Sequence, residues 1–182
     1  YYSGVTQLTD SINLQSRAYH DKFENTLYMY PKKGNRVDYS HYDDHSTGAA
    51  LQFGIDTNES DLLSFAVHWK DDVHRAQKEK NGDWVRFKER TWSLATEYQW
   101  VVSNDLDVVG AISYDWRKSI DTDKKADNNK QNAINWEIMA KYSLANDDNI
   151  RFTISDRSRF PTQKERYTTE KPKDGSLSLI HI

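Results

Sequence analysis

The sequence predicts an all-β fold, an antiparallel up-and-down meander of about seven strands that forms part of a transmembrane β-barrel. Three observations support this fold class: apolar and polar residues alternate, the connections alternate in length, and tryptophans lie toward one end of several strands. The alternation is clearest at 91–117, where the limbs 91–102 and 106–117 flank the polar turn 103–105. A period of two is typical of strands, and the short turn predicts an antiparallel hairpin.

The same alternation gives the other strands of the meander. In chain order they cover 12–30, 49–56, 63–70, 134–144 and 150–155, and 84–90 is a distal extension of the central hairpin. Within 12–30 the phase of the pattern changes near residues 20–23, where we expect a β-bulge. Residues 1–8 are too short to be assigned, although they are consistent with the tail of a strand.

The connections between these strands alternate in length. The short turns are 9–11, 57–61, 103–105 and 146–149, and the long polar loops are 31–48, 71–83, 118–132 and the residues beyond 156. Every second connection of a meander lies at the same end of the sheet, so the short turns share one end and the long loops share the other. Outer-membrane barrels have short turns at one end and long loops at the other, whereas nothing in the architecture of a soluble sandwich requires this arrangement.

The tryptophans point to the same conclusion. Trp92 and Trp100 bracket one apolar stripe, and a tilted strand of that length rises about 20 Å, close to the ~25 Å apolar band between aromatic girdles. Trp69, Trp116 and Trp136 lie toward the long-loop ends of their strands, on the apolar face. The opposite face carries polar residues such as Glu97, Gln99, Asp107, Asp115, Asn135, Glu137, Lys141 and Arg151. That face suits a wet or plugged lumen, although a solvent-facing sheet would have a similar composition.

Composition excludes several classes of protein. The chain has 182 residues, 36% hydrophobic and 13% aromatic, with a net charge of -3 and a mean hydropathy of -0.94. This length fits one domain, and the aromatic content argues against disorder. No apolar run approaches the roughly 20 residues of a transmembrane helix, and there is no cysteine for disulfides or thiolate chemistry. Without a dense basic patch, we expect no nucleic-acid partner.

Two acidic runs could be metal sites, but both patterns are weak. Asp43-Asp44-His45, with His41 nearby, fits no standard ligand spacing and is predicted to be part of a solvated loop. A calcium loop is loosely suggested by Asp121, Asp123 and Asp127. However, Ala126 occupies the position of the required glycine, and no glutamate closes the motif.

No catalytic constellation emerges. Glu97 and Glu137 could form a carboxylate pair, but strand 106–117 lies between theirs, so we interpret both as lumen-lining charges. His68 falls on the polar side and is interpreted in the same way. Neither a Gly-x-Ser-x-Gly elbow nor a glycine-rich phosphate loop is present. We therefore predict no enzyme activity, catalytic residue, metal site or cofactor, and the residues that contact a ligand remain unidentified.

The two ends of the sequence suggest a fragment. The chain starts at Tyr1 without a methionine or a signal peptide. The hexapeptide 177–182, LSLIHI, resembles the translation of an adapter used in transposon-based sequencing libraries, although a genuine terminal strand is the alternative. We therefore expect 1–176 to be part of a longer barrel domain and 177–182 to be a scar.

Two runs resemble TonB-dependent outer-membrane receptors. The run IRFTISDRSRFPTQKERY at 150–167 is similar to their late barrel strands, with Ser155–Tyr167 the most specific part. The run LTDSINLQSRAYHDKFENTLYMY at 8–30 is similar to a periplasmic turn followed by a strand of such a receptor. The similarity covers most of 8–170 and identifies the chain as a fragment of the C-terminal barrel region of such a receptor.

This resemblance implies both an architecture and a function. A barrel of about 22 strands encloses an N-terminal plug in the outer membrane of a Gram-negative bacterium, so this fragment would be an unclosed sheet with its plug encoded upstream. The implied partners are the lipid bilayer, the plug, the TonB energy-transducing complex and a small-molecule ligand, most often an iron-siderophore. The loops 31–48, 71–83 and 118–132 and the residues after 156 would face the ligand.

Two other functions remain open from the sequence. The first is a passive porin-like or lipid-modifying outer-membrane barrel, which shares the alternation but not the plug. The second is a soluble all-β module that binds carbohydrate through exposed tryptophan and tyrosine.

Overall fold

A computed structural model of the protein describes residues 1–29, 38–122, 130–145 and 148–161. The strands are β1 (Tyr2–Thr9), β2 (Ile12–Met29), β3 (Asp38–Asp56), β4 (Leu62–Gln77), β5 (Trp84–Ser103), β6 (Leu106–Thr122), β7 (Lys130–Ser143) and β8 (Asn149–Asp156). They form one antiparallel sheet in the order of the chain, from β1 at one edge to β8 at the other. The all-β, unclosed meander is therefore confirmed. None of the described residues forms a helix long and apolar enough to cross a membrane.

The sheet has eight strands where the alternation predicted about seven. The additional strand is β1, which pairs with β2 from Tyr2↔Ala18 to Thr9↔Ile12 and carries an irregularity between Gln7 and Thr9. A segment this short shows no clear period of its own, so its strand character depends on its pairing with β2.

The expected bulge near residues 20–23 is wrong. β2 and β3 pair without a register shift from Ile12↔Ile55 to Met29↔Asp38. The apolar face of β2 becomes polar at His20, so the side chains change character while the backbone continues as a regular strand.

The predicted loops 31–48, 71–83 and 118–132 are largely strand. β3 begins at Asp38, β4 continues to Gln77 and β6 to Thr122, so most of these polar residues lie in the ladder. Among the connections that the structure describes in full, those at one end have two, five and two residues, and the connection between β4 and β5 at the other end has six. That connection is shorter than the predicted loop 71–83.

The turn after β3 is fixed by one buried carboxylate. Asp61 accepts hydrogen bonds from the Val101 backbone amide at 2.9 Å, the Asn58 side-chain amide at 2.8 Å and the Tyr98 hydroxyl at 3.0 Å. These bonds, above all the one from Val101, hold the pKa of Asp61 below its usual value. The turn is thereby tied to the end of β5, the next strand but one along the chain.

Candidate functional site

One face of the sheet is apolar and exposed from β3 to β8. Register rows such as Phe53↔Phe65↔Thr96↔Ile112↔Trp136 show that these side chains share a face. We call this the apolar face; its large exposed members include Leu51, Phe53, Phe65, Val67, Leu94, Tyr98, Trp100, Ile112, Tyr114, Ile134, Trp136, Ile138, Tyr142, Ile150, Phe152 and Ile154.

The exposure of this face is large. Ile112 is 50% exposed, Phe65 46% and Leu94 45%, although all three lie on interior strands. Within the described residues the buried apolar side chains are only Val73, Ala76 and Phe87. The described part of the chain therefore has one layer, and no second layer covers the apolar face.

Three neighbouring tryptophans mark one border of the apolar face. Trp69, Trp92 and Trp116 occupy one register row across β4, β5 and β6. Their ring centroids are 6.4 Å and 6.2 Å apart along the row, close enough for aromatic contact. We call these residues the tryptophan row. It confirms the sequence-based placement of Trp69, Trp92 and Trp116 on the apolar face, at the end away from the short turns. Trp136 was predicted toward the same end, but it pairs with Ile112, four residues before Trp116, in the middle of β7.

The same face becomes charged immediately beyond the tryptophan row. Asp71, which is 7% exposed, accepts two hydrogen bonds from Arg90 at 2.6 and 2.8 Å and pairs with Lys88 at 2.8 Å. The bonds from Arg90 first, and then those from Lys88, outweigh burial and hold the pKa of Asp71 below its usual value. The Arg90 guanidinium also lies 5.7 Å from the Trp69 ring.

Ion pairs continue toward the far ends of the strands. Asp43 contacts Arg75 at 2.9 Å and Lys22 at 3.4 Å, and Arg86 contacts Asp121 at 3.2 Å. Such pairs are typical of a surface in water, because an unhydrated charge in an apolar medium is costly. On β4, β5 and β6 the face thus changes from apolar to charged within two residues of the tryptophan row.

The opposite face is polar and carries a groove. The groove has a volume of about 420 Å³, and its polar lining includes Gln52, Ser64, Glu97, Ser113, Asn135 and Glu137. Ala66, Ala95 and Ala111 form its floor and leave room above the sheet. We call this the polar face.

The carboxylates of the polar face are separated as the sequence predicted. Glu97 pairs in register with Ala111 on β6, and Ala111 pairs with Glu137 on β7, so one strand lies between the two. Glu137 forms an ion pair with Arg157, and Glu97 accepts a hydrogen bond from Gln99 at 2.8 Å. Neither carboxylate faces the other as an acid/base pair.

The acidic run near residue 43 lies in a strand and not in the predicted loop. Alternation along β3 places His41, Asp43 and His45 on one face and Asp44 on the other, where Asp44 contacts His74 at 2.7 Å. No group of three metal-ligating side chains occurs within the ranges that the structure describes.

The calcium pattern is only partly visible. Asp121 pairs with Arg86, while Asp123, Ala126 and Asp127 fall outside the described residues. The expectation for 177–182 also falls outside them.

A buried ion pair on the polar face was not anticipated. Arg117 and Glu89 approach to 3.3 Å, and their side chains are 9% and 4% exposed. Arg117 also donates to the Pro161 carbonyl oxygen at 2.5 Å and lies 5.0 Å from the Phe160 ring. The segment after β8 is therefore held over the polar face. The alternation of β6 places Arg117 on this face, but the sequence does not show what it contacts.

His68 lies on the same face, between Ala50 and Ser93.

Comparison with family models, curated proteins and solved structures finds no match. The functional assignment below therefore depends on this geometry and on the sequence resemblance.

Proposed function

We propose that this chain is a wall segment of an outer-membrane β-barrel, with its apolar face in contact with lipid. The observation that carries the proposal is the continuous exposed apolar face, bordered by the tryptophan row and followed by charged residues. A soluble protein rarely exposes an apolar patch larger than a few hundred Å² unless it is an interaction surface. Aromatic girdles between an apolar band and charged ends are typical of membrane barrels.

The backbone is compatible with this environment. Each interior strand pairs with a neighbour on both sides, so its amides and carbonyls are satisfied within the sheet, as a bilayer requires. Within the described residues, β1 and β8 each have one free edge. An unpaired edge is not tolerated in lipid, so we propose that further strands of a longer parent protein pair with both edges.

The transport activity is proposed from the resemblance at 150–167 and 8–30. The parent is a TonB-dependent receptor that takes up a scarce nutrient, with a siderophore-type ligand the most common in that family. The polar face lines the lumen and faces a plug encoded upstream. The strand ends beyond the tryptophan row, together with their connections, face the outside, where the ligand arrives.

The absence of cysteine from this chain allows a direct test of lipid contact. In a parent protein whose remaining cysteines, if any, are replaced, Ile112→Cys and Ser113→Cys place a fluorescent label on opposite faces of one strand. Reconstituted in vesicles, the label at 112 is expected to emit in the blue and to be quenched by spin-labelled acyl chains. The label at 113 is the matched control and should be quenched far less. Equal quenching at both positions would contradict lipid contact.

A second experiment tests transport separately. Deleting the gene of the parent protein should abolish uptake of the nutrient that the parent transports, in cells starved of that nutrient. Deleting the TonB gene should abolish uptake of that same nutrient. If the coding sequence upstream encodes no plug domain of roughly 100–150 residues, the assignment as a receptor is refuted, and a passive pore is the function that is left. A chain that is monomeric and cooperatively folded without detergent would instead support a soluble carbohydrate-binding module.

A further inference from the structure

The cations next to the tryptophan row are arranged along one register line. Arg90 on β5 pairs with Lys118 on β6, and Lys118 pairs with Lys130 on β7. We call these three residues the cation strip. The line lies two residues beyond Trp92, Trp116 and Asn132 and on the same face.

The cation strip is only partly neutralised. Asp71 is the next residue along this line, on β4, and its carboxylate is bound by Arg90. Lys118 and Lys130 are exposed, and neither forms an ion pair with any residue that the structure describes. Among the residues that the structure describes, these three cations thus face one carboxylate, that of Asp71, which leaves the strip with an excess of positive charge directly above an apolar surface.

The other border of the apolar face has the opposite character. The four short connections, 10–11, 57–61, 104–105 and 144–148, contain no lysine or arginine, and each contains at least one acidic residue. The excess of positive charge therefore belongs to one end of the sheet and is not a general property of its polar surface.

We propose that the cation strip binds the phosphate groups of a lipid headgroup in the membrane leaflet at the tryptophan-row end. This inference depends on the proposed membrane location. The strip spans three adjacent strands, about 10 Å at the usual spacing, which fits a headgroup with two phosphates. Arginine offers a fork of donors and lysine a point charge to phosphate oxygens. The acyl chains of the same lipid would lie along the apolar face below.

The test uses the full-length parent protein in detergent, titrated with diphosphoryl lipid A and analysed by native mass spectrometry. The variant Lys118→Ala/Lys130→Ala should bind about 25-fold more weakly, at about fivefold for each lysine near a charged membrane surface. Each single variant should show about a fivefold loss. Lys118→Arg/Lys130→Arg keeps the charge and should retain binding.

The matched control is Lys70→Ala. Lys70 lies one residue before Asp71, between Gly48 and Thr91, but on the polar face and paired with Asp72. It should bind diphosphoryl lipid A as the wild type does. Equal affinity of the double variant and Lys70→Ala would overturn the inference.

Two further outcomes separate the sources of phosphate and the two proposals. Displacement of the lipid by a similar concentration of inorganic phosphate would show a free-anion site and also overturn the inference. If the label at position 112 is quenched by lipid while the strip variants bind normally, only the lipid site is refuted. If that label is not quenched, the membrane location and the lipid site are refuted together.

Discussion

Replacing Ile112 with arginine tests the depth of the apolar face in the bilayer. On β6, Leu106 and Trp116 are ten residue steps apart. At ~3.3 Å per residue and a tilt of ~40°, this distance rises about 25 Å, the height of the apolar band of a membrane barrel. Ile112 lies four residues from Trp116, about 10 Å below it on the same scale, and therefore close to the midplane.

We expect Ile112→Arg to lower the free energy of unfolding by about 2–4 kcal/mol, because an arginine at the midplane must be hydrated or must deform the bilayer. Leu106→Arg, at the border, should cost about 0–1 kcal/mol. Ser113→Arg is the control on the polar face of the same strand, where the side chain projects away from lipid. Its cost should be smaller than that of Ile112→Arg.

The measurement is reversible urea unfolding of the parent protein in phospholipid vesicles, followed by tryptophan fluorescence. The decisive result is the difference in cost between Ile112→Arg and Leu106→Arg. A bilayer penalises a charge more strongly the deeper it lies, whereas contact with a protein partner predicts no such dependence on depth. The membrane assignment is refuted if Ile112→Arg costs no more than Ser113→Arg, or if Leu106→Arg costs as much as Ile112→Arg.

Two other predictions concern single positions on the strands. Asp71→Asn should cost about 1–3 kcal/mol at neutral pH, since it leaves partly buried cations without their carboxylate. The pKa of Asp71 is lowered by Arg90 in the fold, so its contribution is present above about pH 4 and is lost as the pH falls through the lowered pKa. The deficit of Asp71→Asn, measured by urea unfolding across pH, should therefore shrink in acid, and a deficit independent of pH would contradict this account. Gly48→Val should destabilise, because a Cβ at Gly48 would lie 2.4–2.6 Å from the Tyr19 ring, whereas Gly110→Val, with no atom within 4 Å, should be neutral or stabilising in the same assay.

Much of the sheet could be predicted because, along each strand, residues of the apolar face alternate with residues of the polar face. The hairpin 91–117 has Thr91↔Arg117 and Trp92↔Trp116 in register, as its turn at 103–105 implies. The pattern predicts where side chains point, and for this reason the tryptophan row was correctly placed. It also placed β6 between Glu97 and Glu137.

The far ends of the strands could not be predicted for a physical reason. Beyond the tryptophan row both faces are polar, so a strand there has no period in hydropathy, although its backbone is fully paired. The run at 41–45 is an example, since its histidines and aspartates are typical of a loop but pair with β4 at His45↔Val73. The contact between Arg117 and Pro161 also could not be predicted from the sequence. It joins two segments that are far apart in the chain, and no hydropathy pattern relates them.

These extended strands change how the outer end of the proposed barrel would work. A strand of roughly 9–11 residues suffices to cross a bilayer, but β5 has 20 and β3 has 19. The excess length lies on the tryptophan-row side, where Asp71, Glu89 and Arg117 hold neighbouring strands together with charge and hydrogen bonds. A ligand arriving at this end would meet a rigid, paired sheet extending beyond the lipid, with the segment 157–161 pinned against its polar face. Recognition would then depend as much on strand side chains such as His74 as on the connections between the strands.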